Sequence, residues 1–222
     1  MNHLQMLMEQ RSATCSYSHL FPYYYSTNRL PSGQPYIHME RINGTTLEDF
    51  LSQRTIHTSP YRLLTHKQIL HLFEQLHNAI YWLYQGGMMQ IDLSPQNILV
   101  LNTDFDIRLI DFTNCYYTNY PSRSYKILDN RIDTNLPIGM QLRDACALLF
   151  TRLFFNGKTH YNQYFSMSDT TITATTQTYF ETEYPQLLNC LFYPNSITYI
   201  SDMDDLSYWE DWYTHLISVL KN

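Results

Sequence analysis

The 222-residue chain is 44% hydrophobic with 20 Tyr, 11 Phe and 3 Trp, enough to bury a sizeable domain or two small lobes and too much for wholesale disorder. Only 15% of residues are charged, and 14 Lys+Arg against 20 Asp+Glu leave a net charge of −6 without a basic run, which argues against nucleic acid as the main partner. Cys15, Cys115, Cys146 and Cys190 form no close pair, no apolar run nears the roughly 20 residues of a membrane span, and the opening MNHLQMLMEQ lacks a signal pattern, so a reducing, cytoplasmic setting without a membrane partner is expected, although unconventional export would leave no such mark.

Leu4, Met6 and Met8 among polar neighbours predict a short opening helix that ends before Ser12. The run from His19 to Tyr25 reads as extended, and the Pro31-Ser32-Gly33 turn separates it from a strand over Tyr36–Met39. Asn43-Gly44 breaks the chain, after which Thr45 or Thr46 can cap a short helix through Phe50-Leu51. Ile69, Leu72, Phe73, Leu76, Ile80 and Leu83 recur at three- and four-residue steps and predict a helix with one buried stripe, stopped by Gly86-Gly87. Ile98–Leu101 and Ile107–Ile110, joined by a polar turn, predict a hairpin. From Thr113 to about Gly139 the chain reads as a long loop, followed by an apolar helix from Leu142 to Phe155. Residues 168–176 read as a low-complexity exposed loop, and helical patterns return over 185–191 and 206–220.

The chemistry is concentrated in Ile91-Asp92-Leu93-Ser94-Pro95-Gln96-Asn97-Ile98-Leu99-Val100 and in Leu109-Ile110-Asp111-Phe112. Phosphoryl transfer needs a group that orients the attacking hydroxyl and oxygen ligands for Mg²⁺ on the nucleotide phosphates. A carboxylate leading a loop, an amide five residues on and a second carboxylate after a hairpin supply those three. The bland alternative is that Asp92 and Asp111 bound strands as turn formers and Asn97 makes an Asx turn.

With its flanking helix and hairpin this segment resembles the protein-kinase family, whose catalytic loop reads His-Arg-Asp-Leu-x-x-x-x-Asn and whose metal loop reads Asp-Phe-Gly. The resemblance implies Asp92 as the catalytic carboxylate and Asn97 and Asp111 as Mg²⁺ ligands, with ATP as the nucleotide. It makes Tyr36–Leu47 similar to the inter-lobe hinge, with Met39 at the back of the adenine pocket and backbone groups of Glu40 and Ile42 offered to the adenine edge; Leu99 joins them as a cofactor-binding residue. Asp144 matches an Asp at the head of a buried helix that supports the catalytic loop, with a simple helix-dipole role as the alternative. Glu9 matches, within a residue, the family's helix Glu that pairs with a strand Lys; a solvent-exposed helix position is the alternative.

The sequence departs from the family at several places. None of its six glycines forms a Gly-rich array, and its first lysine is Lys67, so the phosphate-covering hairpin and the Lys-bearing strand would precede Met1. Gln90-Ile91 stands where the family has His-Arg, Thr113 replaces the Gly of the metal loop, and Ser94 stands where Lys is usual. The resulting expectation is an α+β, protein-kinase-like fold: a truncated N-lobe over 1–42 and a mainly helical C-lobe over 43–222. Its expected activity is transfer of the ATP γ-phosphate to a protein hydroxyl, with a protein substrate or partner and a second protein or dimer mate supplying the missing lid. A weakly catalytic pseudokinase serving as a binding module, and a small-molecule kinase of the aminoglycoside or choline type, are the alternatives.

Overall fold

A computed structural model describes residues 17–52, 64–101, 104–112, 115–117, 132–155 and 207–221. The expected opening helix with Glu9, the loop over 168–176 and the helical pattern over 185–191 lie outside these residues.

The first described segment differs from its extended reading. Ser18–Leu20 forms a 3-10 turn, and the strand begins later, as β1 (Tyr24–Arg29). Leu20 and Phe21 are buried, so burial of adjacent apolar residues, which a strand's alternation would not allow on one face, selects the turn. β1 pairs antiparallel with β2 (Pro35–Met39), with a register shift between Tyr24 and Ser26 that leaves Tyr25 bulged. Gly33, at φ 84, provides the left-handed residue in the turn between them.

β3 (Thr45–Thr46) leads directly into α1 (Leu47–Ser52), whose first turn is capped by the Thr46 hydroxyl accepting from the Asp49 backbone N–H at 3.0 Å. α2 (His66–Gln85) opens on a capping box: Thr65 Oγ1 accepts from the Gln68 N–H, and Gln68 Oε1 accepts from the Thr65 N–H. Its predicted stripe is the core face, with Ile69, Leu72, Phe73, Leu76, Ile80 and Leu83 all buried. Each such side chain contributes about 1.5–3 kcal/mol relative to exposure. Gly86 ends the helix, and Gly87 at φ 78 turns the chain into β4 (Met88–Met89).

β5 (Ile98–Val100) and β6 (Ile107–Leu109) form the expected antiparallel hairpin, and β3 adds to its edge as a third strand. β4 pairs antiparallel with β7 (Tyr116–Tyr117), which brings the chain after Asp111 back beside the chain before Asp92. α3 runs Ile138–Phe155, so the helix expected from Leu142 begins one turn earlier. Pro137 stands just before its first turn, where a missing N–H costs nothing and φ is already helical; its carbonyl accepts from Met140 and Gln141. α4 (Ser207–Lys221) closes the described chain.

One buried cluster joins these elements, from Leu20 and Phe21 through α2 to Leu142, Phe150 and Trp209. Phe73 meets Phe150 at 5.5 Å between ring centroids, and Phe50 meets Phe105 edge-on at 5.2 Å. Glu48 of α1 pairs with Arg152 of α3. Among the described residues no helix is long and apolar enough to cross a membrane.

Candidate active site

The loop that begins at Asp92 is shaped by its own sequence. Ser94 caps the 3-10 turn Pro95–Asn97, and Pro95 occupies the first helical position. The Asn97 N–H donates to the Ser94 carbonyl at 2.8 Å. This tight turn swings Asn97 back so that its Nδ2 donates to the Asp92 carbonyl at 3.2 Å. With Nδ2 spent on that bond, Asn97 Oδ1 is the atom left to meet a cation.

Asp111 is joined to this loop by two further bonds. The Ile110 N–H donates to the Asn97 carbonyl at 2.9 Å, and Gln90 Nε2 donates to the Asp111 carbonyl at 2.8 Å. Asp111 has φ 58, a left-handed backbone that costs a non-glycine residue about 1–2 kcal/mol and turns the chain sharply out of the strand. Asp111 is exposed, while Asp92 is buried at 6% exposure. The structure thus brings together the loop of Asp92 and Asn97 and the turn at Asp111.

Two buried groups sense the charge of Asp111, and one of them senses Asp92 as well. Burial, then the charges of Asp111 and Asp92, push the Cys115 thiol up, so it remains protonated. Burial, then Cys115 and Asp111, push the Tyr24 phenol up to about 12. Phe112 packs in the core, 5.8 Å from the Phe21 ring, which in turn lies 4.8 Å from Trp82. The residue after Asp111 is therefore anchored inward while Asp111 faces solvent.

The segment expected to hold adenine lies across β5. The Glu40 N–H donates to the Tyr23 carbonyl at 2.7 Å and its carboxylate accepts from the Tyr23 N–H at 3.1 Å, which fixes Glu40 against β1. Among the described residues no hydrogen bond occupies the Ile42 backbone. Met39, at 44% exposure, ends β2. Two residues after Ile42, Gly44 sits so close to β5 that a Cβ there would lie 3.1 Å from the Val100 carbonyl and 3.4 Å from Leu99 Cβ. This close approach places Gly44, at the end of the segment, beside Leu99.

Asp144 stands inside α3, where the earlier start of the helix puts it, and not at a helix head. Its Oδ1 accepts from Arg143 Nε at 2.9 Å and Nη2 at 2.7 Å. Burial pushes its carboxyl up, and the adjacent guanidinium only partly offsets this.

Gln90 stands where the family has His, and its carboxamide lies between the Asp111 carbonyl and Cys115. The available signal was a polar residue directly before an otherwise apolar Ile91-Asp92-Leu93 run.

The family model described as protein kinase domain matches residues 5–132, more than half of the chain. The chain belongs to the protein kinase family. No curated protein matches it. The mixture of helix and sheet fits the protein-kinase-like fold, and the family is one of phosphotransferases whose domains generally use ATP and Mg²⁺. The oxygen donors Asn97 Oδ1 and the Asp111 carboxylate suit a hard cation such as Mg²⁺, which takes one or two protein ligands and completes its shell from phosphate and water. Among the described residues no group of three or more His, Cys, Asp or Glu side chains could hold a metal ion.

Proposed function

We propose that this kinase-family chain transfers the ATP γ-phosphate to a protein hydroxyl at Asp92, Asn97 and Asp111. The single observation that supports this most is the bonded unit in which Asn97 donates to the Asp92 carbonyl while its own carbonyl accepts from Ile110, next to Asp111. In this reading Asp92 orients the acceptor hydroxyl and takes its proton. The hydroxyl oxygen bonds to the γ-phosphorus as the bond to the bridging oxygen breaks and ADP leaves. Mg²⁺, held by Asn97 and Asp111, would neutralise charge on the phosphate oxygens. Met39, the backbones of Glu40 and Ile42, and Leu99 would receive the adenine.

The proposed architecture divides at about residue 42, into a small N-lobe and a mainly helical C-lobe. Among the described residues β1–β2 stands as a two-stranded sheet with Tyr23, Tyr25, Leu30, Tyr36, Ile37 and Met39 exposed, which supports a covering protein, a dimer mate included. Without such cover, charge stabilisation at the phosphates would fall short by several kcal/mol of barrier.

The test is Mg²⁺-dependent transfer of labelled γ-phosphate by the full chain, with protein, sugar and amino-alcohol acceptors offered in parallel. Transfer to protein that drops about 100-fold or more in Asp92→Asn and in Asp111→Asn is the expected result. Transfer to a small acceptor alone would reassign the substrate. MgATP binding without any transfer would make the chain a binding module, and absence of MgATP binding would overturn the site.

A further inference from the structure

We propose that the free edge of β2 pairs with the same edge of a second copy of this chain, so that two two-stranded ribbons join as a single antiparallel sheet. This names the covering partner of the reading above, and its bearing on the nucleotide rests on that reading.

The ribbon is open where a finished sheet is closed. Every residue of β2 is exposed, on both faces, and an isolated two-stranded ribbon is only marginally stable in water. The Leu30 N–H donates to the Gln34 carbonyl at 2.9 Å, which sets the alternation of the antiparallel ladder. The backbone groups of Tyr36 and His38 therefore face β1, and those of Pro35, Ile37 and Met39 point out from the free edge. Among the described residues no hydrogen bond reaches these outward groups. The other edge differs. β1 carries a register shift beside Tyr25, and a bulge of this kind discourages further pairing on its side.

The pattern of β2 selects its own copy. With Ile37 opposite Ile37 of the second copy, the two residues exchange both of their backbone bonds. Pro35 then lies opposite Met39 of the second copy, where its carbonyl accepts from the Met39 N–H and its missing N–H leaves one carbonyl to water. Two-fold symmetry repeats that bond at the other end. The same register sets Tyr36 beside His38 of the second copy, whose ring already lies 4.9 Å from Tyr25. Charge permits the meeting although the chain carries −6, because of Asp, Glu, Lys and Arg only Arg29 occurs from Tyr23 to Met39. Strands this short cover on the order of 400 Å² per copy, half of a standard interface, so the dimer is a weak one. β2 ends at Met39, which puts the added strand alongside the segment proposed for adenine.

Analytical ultracentrifugation of the full chain, from about 1 to 300 µM, reads the association, and wild type should pass from monomer to dimer within that range. Ile37→Pro removes an outward N–H and leaves the bonds to β1 in place, a setting that an edge strand tolerates. Ile37→Lys places like charges opposite one another. Both should raise the dimer dissociation constant at least about tenfold, whereas Leu30→Lys, in the turn, should stay within about twofold of wild type. In the paired register the two Cα atoms of residue 37 stand about 5.5 Å apart, so Ile37→Cys should link two chains under mild oxidation while Leu30→Cys should not. A wild type that stays monomeric throughout would overturn the pairing, as would a dimer that Ile37→Pro and Ile37→Lys both leave intact. Should those two variants fail to fold, the disulfide at residue 37 decides: its formation supports the pairing and its absence overturns it. MgATP affinity should be several-fold weaker in monomeric Ile37→Lys, and equal affinity would overturn the covering role. A dimer that binds no MgATP would overturn the nucleotide site and leave the pairing standing.

Discussion

The Gln75 carboxamide of α2 crosses to the β5–β6 hairpin, donating from Nε2 to the Phe105 carbonyl at 3.0 Å and accepting at Oε1 from the Ile107 N–H at 3.0 Å. Phe105 carries φ 74, and its ring is buried against Phe50. His71, one turn earlier, bonds Asp106 at 3.0 Å. The hairpin that ends at Asp111 is therefore fastened to the long helix by a buried polar residue as well as by apolar packing. Gln75→Leu would leave a buried carbonyl and a buried N–H without partners, at about 1–3 kcal/mol each. A loss of about 2–5 kcal/mol in urea unfolding is expected, and a change below about 1 kcal/mol would contradict this account.

Gly44 presses against β5 for want of a side chain. A methyl group there would stand 3.1 Å from the Val100 carbonyl and 3.2 Å from Leu101 Cδ2, tighter than ordinary contact. The backbone of Asn43–Thr45 must shift to relieve it, because the opposing carbonyl belongs to a paired strand. Gly44→Ala is expected to cost about 1–3 kcal/mol of stability. It should also weaken ATP binding several-fold if Glu40 and Ile42 meet the adenine. Calorimetry of ATP on the folded variant reads the second effect separately from the first.

Asn97 illustrates how two roles can be separated. Asn97→Asp keeps an oxygen for a cation but replaces the donor to the Asp92 carbonyl with a second acceptor. The loop turn should loosen, with stability falling by about 1 kcal/mol, while Mg²⁺-dependent ATP binding persists. Asn97→Ala loses both, and Mg²⁺ enhancement of ATP binding should disappear. Equal behaviour of the two variants would show that only the turn, and not the ligand atom, matters.

Much of this arrangement was legible because the decisive features are local. The three- and four-residue spacing from Ile69 to Leu83, the Gly-Gly stop and the Ser-Pro turn before Asn97 each fix their geometry within a few residues. What escaped depends on distant partners. A two-residue strand such as Thr45–Thr46 has no period to detect, and it forms only because β5 lies beside it. Pro137 and Gly139 read as loop, yet Pro is well suited to a helix start, and the burial of Ile138, Met140 and Leu142 extends α3 backwards. The same burial places Asp144 inside the helix, paired with Arg143. Gln90 departs from the family His, yet a carboxamide can donate to a carbonyl as an imidazole can.

The packing of α4 on α2 predicts a dependence on pH. His77 of α2 stacks on Tyr213 at 4.3 Å and Trp209 at 5.0 Å, and Trp209 Nε1 donates to Cys146 Sγ of α3 at 3.3 Å. Burial lowers the His77 pKa from its ordinary 6.5, outweighing a hydrogen bond with Asn78 and the charge of Glu210, which both raise it. The unfolded chain therefore takes up a proton more readily than the folded one. Stability from this stack is complete above about pH 6.5 and is lost as pH falls through the lower folded value. His77→Phe keeps an aromatic ring and removes the titration. Between pH 8 and pH 5 the thermal midpoint of wild type should fall further than that of His77→Phe, with the divergence beginning near pH 6.5. Parallel curves for the two proteins would show that folding does not shift the His77 titration and would contradict this account.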